Sequence, residues 1–226
     1  VGEQRIHRIC RGTPVALGGL DLVCGSFAVG GRSEDALIAV TGTFENTICL
    51  TDRHIISEKG ITGNIVSQKG AFEDGFLLWG TQYAGGVLEW FKREFITVGP
   101  NKNEAERAFN SELNALAETA PGANGCMMLP DLLGAFAPVD DPASRGVFVG
   151  LSDRTTRMDM AKAIIEAVNY RSRSICEVQE SAIGRQFGRV VNIGGAGYSD
   201  FWMQNKADVL GKVIEVPQVQ EATALG

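Results

Sequence analysis

The run VVNIGGAGYSDFWMQNKADVL at residues 190–210 constrains the fold more than any other part of the chain. Val190, Val191 and Ile193 form a β-branched apolar stretch that stops at Gly194-Gly195. A helical pattern begins near Ser199 and puts Met203, Ala207 and Leu210 on one face. Strand, glycine pair and helix start together let a flat ligand approach the backbone. Glycine removes the Cβ, and the helix N-terminus supplies free N–H donors. Many α/β domains turn on a glycine pair with no ligand there, so the pattern alone does not choose between a binding turn and a plain one.

The flanking segments extend the alternation. Thr156 and Asp159 have capping-box spacing and open a long helix with Met158, Ala161, Ile165, Val168 and Ile175 inward. Residues 212–216 read as a strand after the last helix. In the middle, Ala84, Val87, Leu88, Phe91 and Phe95 follow helical spacing, as do Ala105, Phe109, Leu113 and Leu116. Gly99 and Pro100 break the loop between them, and PGANG at 121–125 closes the second helix. Residues 127–129 and 147–149 read as short buried strands around the loop GAFAPVDDPASRG. The first third is strand-like. A strand over 14–17 ends at Gly18-Gly19, and strands at 36–40 and 47–50 are joined by TGTFEN. Further strands are expected at 61–66 and 76–79. Strands first, then alternating helices and strands, predict one α/β domain with a mixed sheet flanked by helices.

Composition narrows the function. With 226 residues, 44% of them hydrophobic, the chain buries a sizeable core. It has 21 basic against 27 acidic residues and no basic run, which argues against nucleic acid or an anionic membrane as a partner. No apolar run reaches the roughly 18 residues of a membrane span. Cys10, Cys24, Cys49, Cys126 and Cys176 are odd in number and form no CxxC, the pattern of buried free thiols in a reducing cytoplasm. His7 and His54 lie in no Cys/His cluster that would supply the four ligands of a zinc site. A metal used here would be a hard ion such as Mg²⁺, held mostly by substrate phosphates and water.

Three places carry chemistry. Asp21 follows Gly18-Gly19-Leu20 at the end of the first strand, where α/β sheets bind ligands. Its carboxylate suits proton acceptance from a hydroxyl, and equally suits the N-cap of a helix over 22–29. Gly42-Thr43 forms a tight turn whose N–H groups and hydroxyl suit an anion, or is a plain hairpin tip. Gly85-Gly86 starts a helix, either near a ligand or in close packing. There is no Ser/His/Asp arrangement and no GxxxxGK[ST] loop. Trp79, Trp90 and Trp202 lie in apolar patterns and read as core or cleft wall.

The order of these segments is more specific than any one of them. RGTPVALGGLD, TGTFEN, AGGVLEW, LLGAFAPVDDPASRGVFVGL, the long helix, GGAGYSDFWMQNKADVLG and EATALG in succession resemble the C-terminal domain of the FGGY family of carbohydrate kinases, in its xylulokinase-like and glycerol-kinase-like branches. The resemblance covers 12–226 and is most specific at 146–151 and 194–211. It implies an actin-like ATPase (ribonuclease-H-like) fold and ATP-dependent phosphorylation of a sugar or polyol hydroxyl with Mg²⁺. Asp21 matches the family's catalytic base and Gly42 and Thr43 its phosphate turn. Gly85 and Glu89 match its nucleotide pocket, and Gly195, beside Gly194, and Ser199 match positions near adenosine.

The chain departs from the family at Gly134-Ala135-Phe136, where many sugar-kinase members carry Gly-Glu-Arg; glycerol-kinase-like members are closer to GAFAP. The resemblance also implies that the family's N-terminal domain and its last C-terminal helix are absent from 1–226. The chain alone is then expected to be inactive, with that domain as its partner. A homodimer is compatible with the resemblance. The alternative reading is a non-catalytic nucleotide-binding or regulatory module of the actin-like superfamily.

Overall fold

The computed structural model describes residues 12, 14, 19–29, 35–70, 74–96, 101–116, 119–218 and 222. The expected strand over 14–17, the loop at 97–100, Cys10, His7 and most of EATALG lie largely or wholly outside the described residues.

β1 (Ala36–Thr41) and β2 (Phe44–Thr51) form a hairpin, Ile38 opposite Ile48 and Thr41 opposite Glu45. Both strands run longer than expected, so the turn shrinks to Gly42-Thr43. β4 (Phe76–Tyr83) pairs antiparallel with β2, and β3 (Val66–Lys69) with β4. On the other side β7 (Arg189–Ile193) and β8 (Val213–Glu215) add in parallel. The sheet order is β3-β4-β2-β1-β7-β8, mixed as expected.

Both faces of this sheet are covered, and its central strand β1, ALIAVT, is accordingly a nearly continuous buried apolar run. Leu37, Ala39, Cys49, Leu78 and Val190 face α5 (Arg157–Ile183), against Ile175 and Cys176. Ala36, Ile38, Ile48, Leu77 and Val191 face the other way, against Leu22 of α1 (Asp21–Ala28). The Thr156–Asp159 capping box is present at the start of α5. From Ala161 to Asn169 every residue of α5 is buried. Its N-terminal half is enclosed by α3 (Gly85–Phe91), α4 (Lys102–Ala115) and α6 (Asp200–Leu210).

Four local expectations change. Residues 61–66 are not a strand. Ser57 accepts a hydrogen bond from the Gly60 amide and caps a short helix, α2 (Glu58–Thr62), which Gly63 ends before β3 begins. Phe95 is exposed, because α3 runs into a π-helical turn, Lys92–Ile96, and the extra residue per turn moves Ile96 into the core in its place. β5 (Met127–Leu129) and β6 (Val147–Val149) do form, but as a separate two-stranded ribbon. Met128 points to the core, while Met127, Leu129, Val147 and Val149 are exposed on the opposite face, as alternation requires. Finally, α6 buries Phe201, Trp202, Met203, Asn205, Lys206 and Val209, with Ala207 and Leu210 only half-buried. Its polar residues go inward because they find partners there. Among the described residues no helix is long and apolar enough to cross a membrane.

Candidate functional site

Three glycine-bearing turns meet at one end of the sheet, around a cleft of about 390 Å³. The first is the β1–β2 turn. Gly42 and Thr43 line the cleft, and among the described residues neither the Thr43 amide nor its hydroxyl has a hydrogen-bond partner. The second is the start of α3. Its amides close onto that turn: Gly85 donates to the Gly42 carbonyl at 3.0 Å and Gly86 to the Thr43 carbonyl at 3.1 Å. A Cβ at Gly85 would run into the Gly42 carbonyl, and one at Gly86 into the Tyr83 ring. Gly85 therefore lines the cleft and packs, whereas Gly86 only packs.

The third is the turn after β7. A 3₁₀ turn, Gly195–Tyr198, precedes α6, and Ser199 caps that helix by accepting from the Trp202 amide at 3.3 Å. The first amides of such a turn lack acceptors within it, so they are free to face an anion or a polar ring. Gly195 and Ser199 line the cleft. Gly194 does not. Its φ of 98° and its position against the Thr41 carbonyl make it the residue that lets β7 leave the sheet beside β1.

The far wall comes from α3 and α4. Glu89 lines it and accepts from Lys92 at 2.7 Å, while Lys92 also reaches Glu106 at 2.8 Å. Burial alone would lower the Lys92 pKa; its hydrogen bonds to Glu106 and Glu89 outweigh that and hold it above the usual lysine range. Asn110 and Asn114 complete the wall, and the Ser199 hydroxyl lies 3.2 Å from Asn114 Oδ1. The sequence reading missed Lys92, Asn110 and Asn114. Asn110 and Asn114 each follow an inward residue, Phe109 and Leu113, so they mark one edge of the buried face of α4. Which neighbour meets that edge is not a local property. Trp202 is cleft wall, as expected, its indole N–H donating to Asn169 at 3.2 Å.

Asp21 stands apart. It is exposed in the first turn of α1, its carboxylate accepting from the Leu22 amide at 2.7 Å. Leu20, not Asp21, occupies the cap position, and Asp21 does not line the cleft. The structure thus gathers Gly42, Thr43, Gly85, Glu89, Gly195 and Ser199 and leaves Gly194 and Asp21 outside the lining. Among the described residues no group of three or more His, Cys, Asp or Glu side chains forms a metal cage.

Beneath the β1–β2 turn lies a polar cluster sealed from solvent. Lys206 and Glu45 are both 0% exposed, with Nζ 2.5 Å from Oε2. Lys206 also donates to Asn192 at 2.8 Å and to the Thr41 hydroxyl at 3.1 Å. The other Glu45 oxygen accepts from Ser172 at 2.5 Å and Gln82 at 3.2 Å. Burial pushes the Glu45 carboxyl up, but the adjacent ammonium and the hydrogen bonds from Lys206, Ser172 and Thr41 more than reverse this, leaving it below the usual carboxylate range.

Residues 37–226 match the family model described as the C-terminal domain of the FGGY family of carbohydrate kinases. The chain is 33% identical over 154 residues to a glycerol kinase of Deinococcus radiodurans, spanning 68% of this chain and 29% of that protein. It is 28% identical over 213 residues to a xylulose kinase of Staphylococcus epidermidis, spanning 94% and 40%. Among solved structures, the xylulose kinase from Rhodospirillum rubrum superposes with a TM-score of 0.77 at 24% identity, covering 92% of this chain and 40% of that one. The Plasmodium falciparum glycerol kinase with ADP superposes at 0.76 and 19% identity, covering 91% and 39%. The chain therefore spans two fifths or less of the length of these relatives.

Proposed function

Because the chain belongs to the FGGY family of carbohydrate kinases and has their actin-like ATPase fold, we propose that it is the nucleotide-binding half of an enzyme that transfers the γ-phosphoryl group of Mg-ATP to a sugar or polyol hydroxyl. The observation that carries this reading is the convergence of three turns, far apart in sequence, on one cleft. The Thr43 amide and hydroxyl meet phosphate oxygens, with Gly42 supplying the tight turn. Gly195 and Ser199 flank the adenosine. Gly85 and Glu89 close the side wall. Mg²⁺ arrives on the nucleotide phosphates, in a cleft whose lining carboxylate, Glu89, is already paired with Lys92.

Asp21 is the proposed base. It is exposed, so substrate can reach it, and it takes the hydroxyl proton as the oxygen attacks the γ-phosphorus in line. Its place outside the nucleotide cleft fits this role, because acceptor and nucleotide approach from different sides. The sugar is held chiefly by a second domain. The span of two fifths or less of the relatives' length supports that partner, and the names of those relatives support a sugar or polyol as acceptor.

A coupled ADP-release assay over a panel of sugars and polyols tests the reading. The full-length protein should release ADP only with its acceptor, and the 226-residue chain alone should release none. A full-length protein that binds ADP yet phosphorylates nothing on the panel would be the regulatory module that the same cleft also suits.

A further inference from the structure

The buried Lys206–Glu45 pair has no place in the reaction just described, yet it sits directly under the phosphate turn. Thr41 and Glu45 face each other across the last rung of the β1–β2 ladder before the chain reverses. Between them lie only the Gly42-Thr43 turn and Phe44, the first residue of β2. Lys206 arrives from α6 and hydrogen-bonds to both side chains of that rung, and to Asn192 of β7. An ammonium has three donors, and all three are used. Glu45 is satisfied on both oxygens. A core that needed only cohesion would do as well with apolar side chains here, because two charges are costly to take out of water.

We propose that Lys206 and Glu45 are positioning residues for nucleotide phosphates: they clamp the two strand ends of the Gly42-Thr43 turn, through Thr41, in the conformation that aims the Thr43 amide and hydroxyl into the cleft. This rests on the reading of that turn as the phosphate site. The adenosine end of the cleft is built by α4 and the 195–199 segment, to which Lys206 and Glu45 make no side-chain hydrogen bond among the described residues.

The test compares ADP with adenosine by calorimetric titration. The probe variant is the uncharged double substitution Lys206→Met/Glu45→Gln, which keeps the shapes and leaves no lone buried charge. ADP should bind it at least about tenfold more weakly than the parent, with adenosine affinity unchanged within about twofold. A merely structural role would weaken both ligands alike, or neither, and either result overturns the proposal. Should the double variant fail to fold, Thr41→Val decides. It cuts the clamp from the turn without touching a charge and should reproduce the loss confined to ADP, with Thr41→Ser restoring it. A Thr41→Val protein that binds ADP like the parent overturns the proposal. A parent that binds neither ligand overturns the phosphate-site reading itself, and this proposal with it.

Discussion

Gly194 backs onto Thr41: a Cβ built at position 194 would lie 2.5 Å from the Thr41 carbonyl oxygen, and the backbone there has a φ of 98°. Gly195, its neighbour, has open space where a Cβ would go. The two glycines of one pair therefore do different work. Gly194 joins β7 to β1, and Gly195 keeps the cleft wall bare.

Gly194→Ala is accordingly expected to destabilise the protein by about 2–4 kcal/mol, since it adds a backbone clash to a strained φ. Gly195→Ala should stay within about 0.5 kcal/mol of the parent. Urea unfolding of the two variants separates them. Gly195→Val should fold and bind ADP about tenfold more weakly, because a branched side chain then occupies the wall. Parent-like affinity in that variant would place the adenosine elsewhere.

Asp21→Asn in the full-length protein should lower kcat by about 10²–10⁴-fold while leaving ADP affinity as it was. The amide keeps the shape and the bond from Leu22 but takes no proton. A fall of less than about tenfold would reduce Asp21 to a favourable charge in the first turn of α1.

The Glu45–Lys206 pair gives stability a pH dependence of definite sign. Folding lowers the Glu45 pKa, so the folded state holds fewer protons there than the unfolded one. The resulting stability is fully present above the ordinary carboxylate range and is lost as pH falls toward the folded value. Denaturant melts from pH of about 5 down to pH of about 2 should show this, and the slope should shrink in Lys206→Met/Glu45→Gln. Lys206→Met alone should cost about 3–5 kcal/mol at neutral pH, because it strands a buried carboxylate.

Ser199→Ala removes the cap on α6 and should cost about 1 kcal/mol in thermal or urea unfolding. It also removes the hydroxyl beside Asn114. A weaker affinity for adenosine, measured beside that stability change, would show that the hydroxyl serves the ligand as well as the helix.

Cysteine reactivity offers an independent check of the core. Burial pushes the Cys49 and Cys176 thiols up to about 12, so at pH near 8 they are almost wholly protonated and enclosed. Mass spectrometry after iodoacetamide treatment of the native protein should find both unmodified and half-buried Cys24 labelled more readily.

Much of this protein is written in local sequence. The capping box at Thr156 and Asp159, the hairpin around TGTFEN and the strand, glycine pair and helix at 190–210 were legible because each depends on residues a few positions apart. Elements whose state depends on what packs beside them were less legible. Residues 61–66 look like a strand by composition, yet the Ser57 cap and Gly63 end-stop decide otherwise. Phe95 keeps perfect helical spacing and is still exposed, since one π-helical turn shifts the register.

The candidate site divides the same way. Its glycine turns were readable as motifs, because backbone freedom and free amides are properties of short segments. That they enclose one cleft, that Asn110 and Asn114 form its far wall, and that Lys206 and Glu45 lock beneath it came only with the tertiary structure. Lys206 and Glu45 are 161 residues apart, and each alone looks like an ordinary surface charge. Only the fold brings them together where water is excluded, and only there does each become the other's necessary partner.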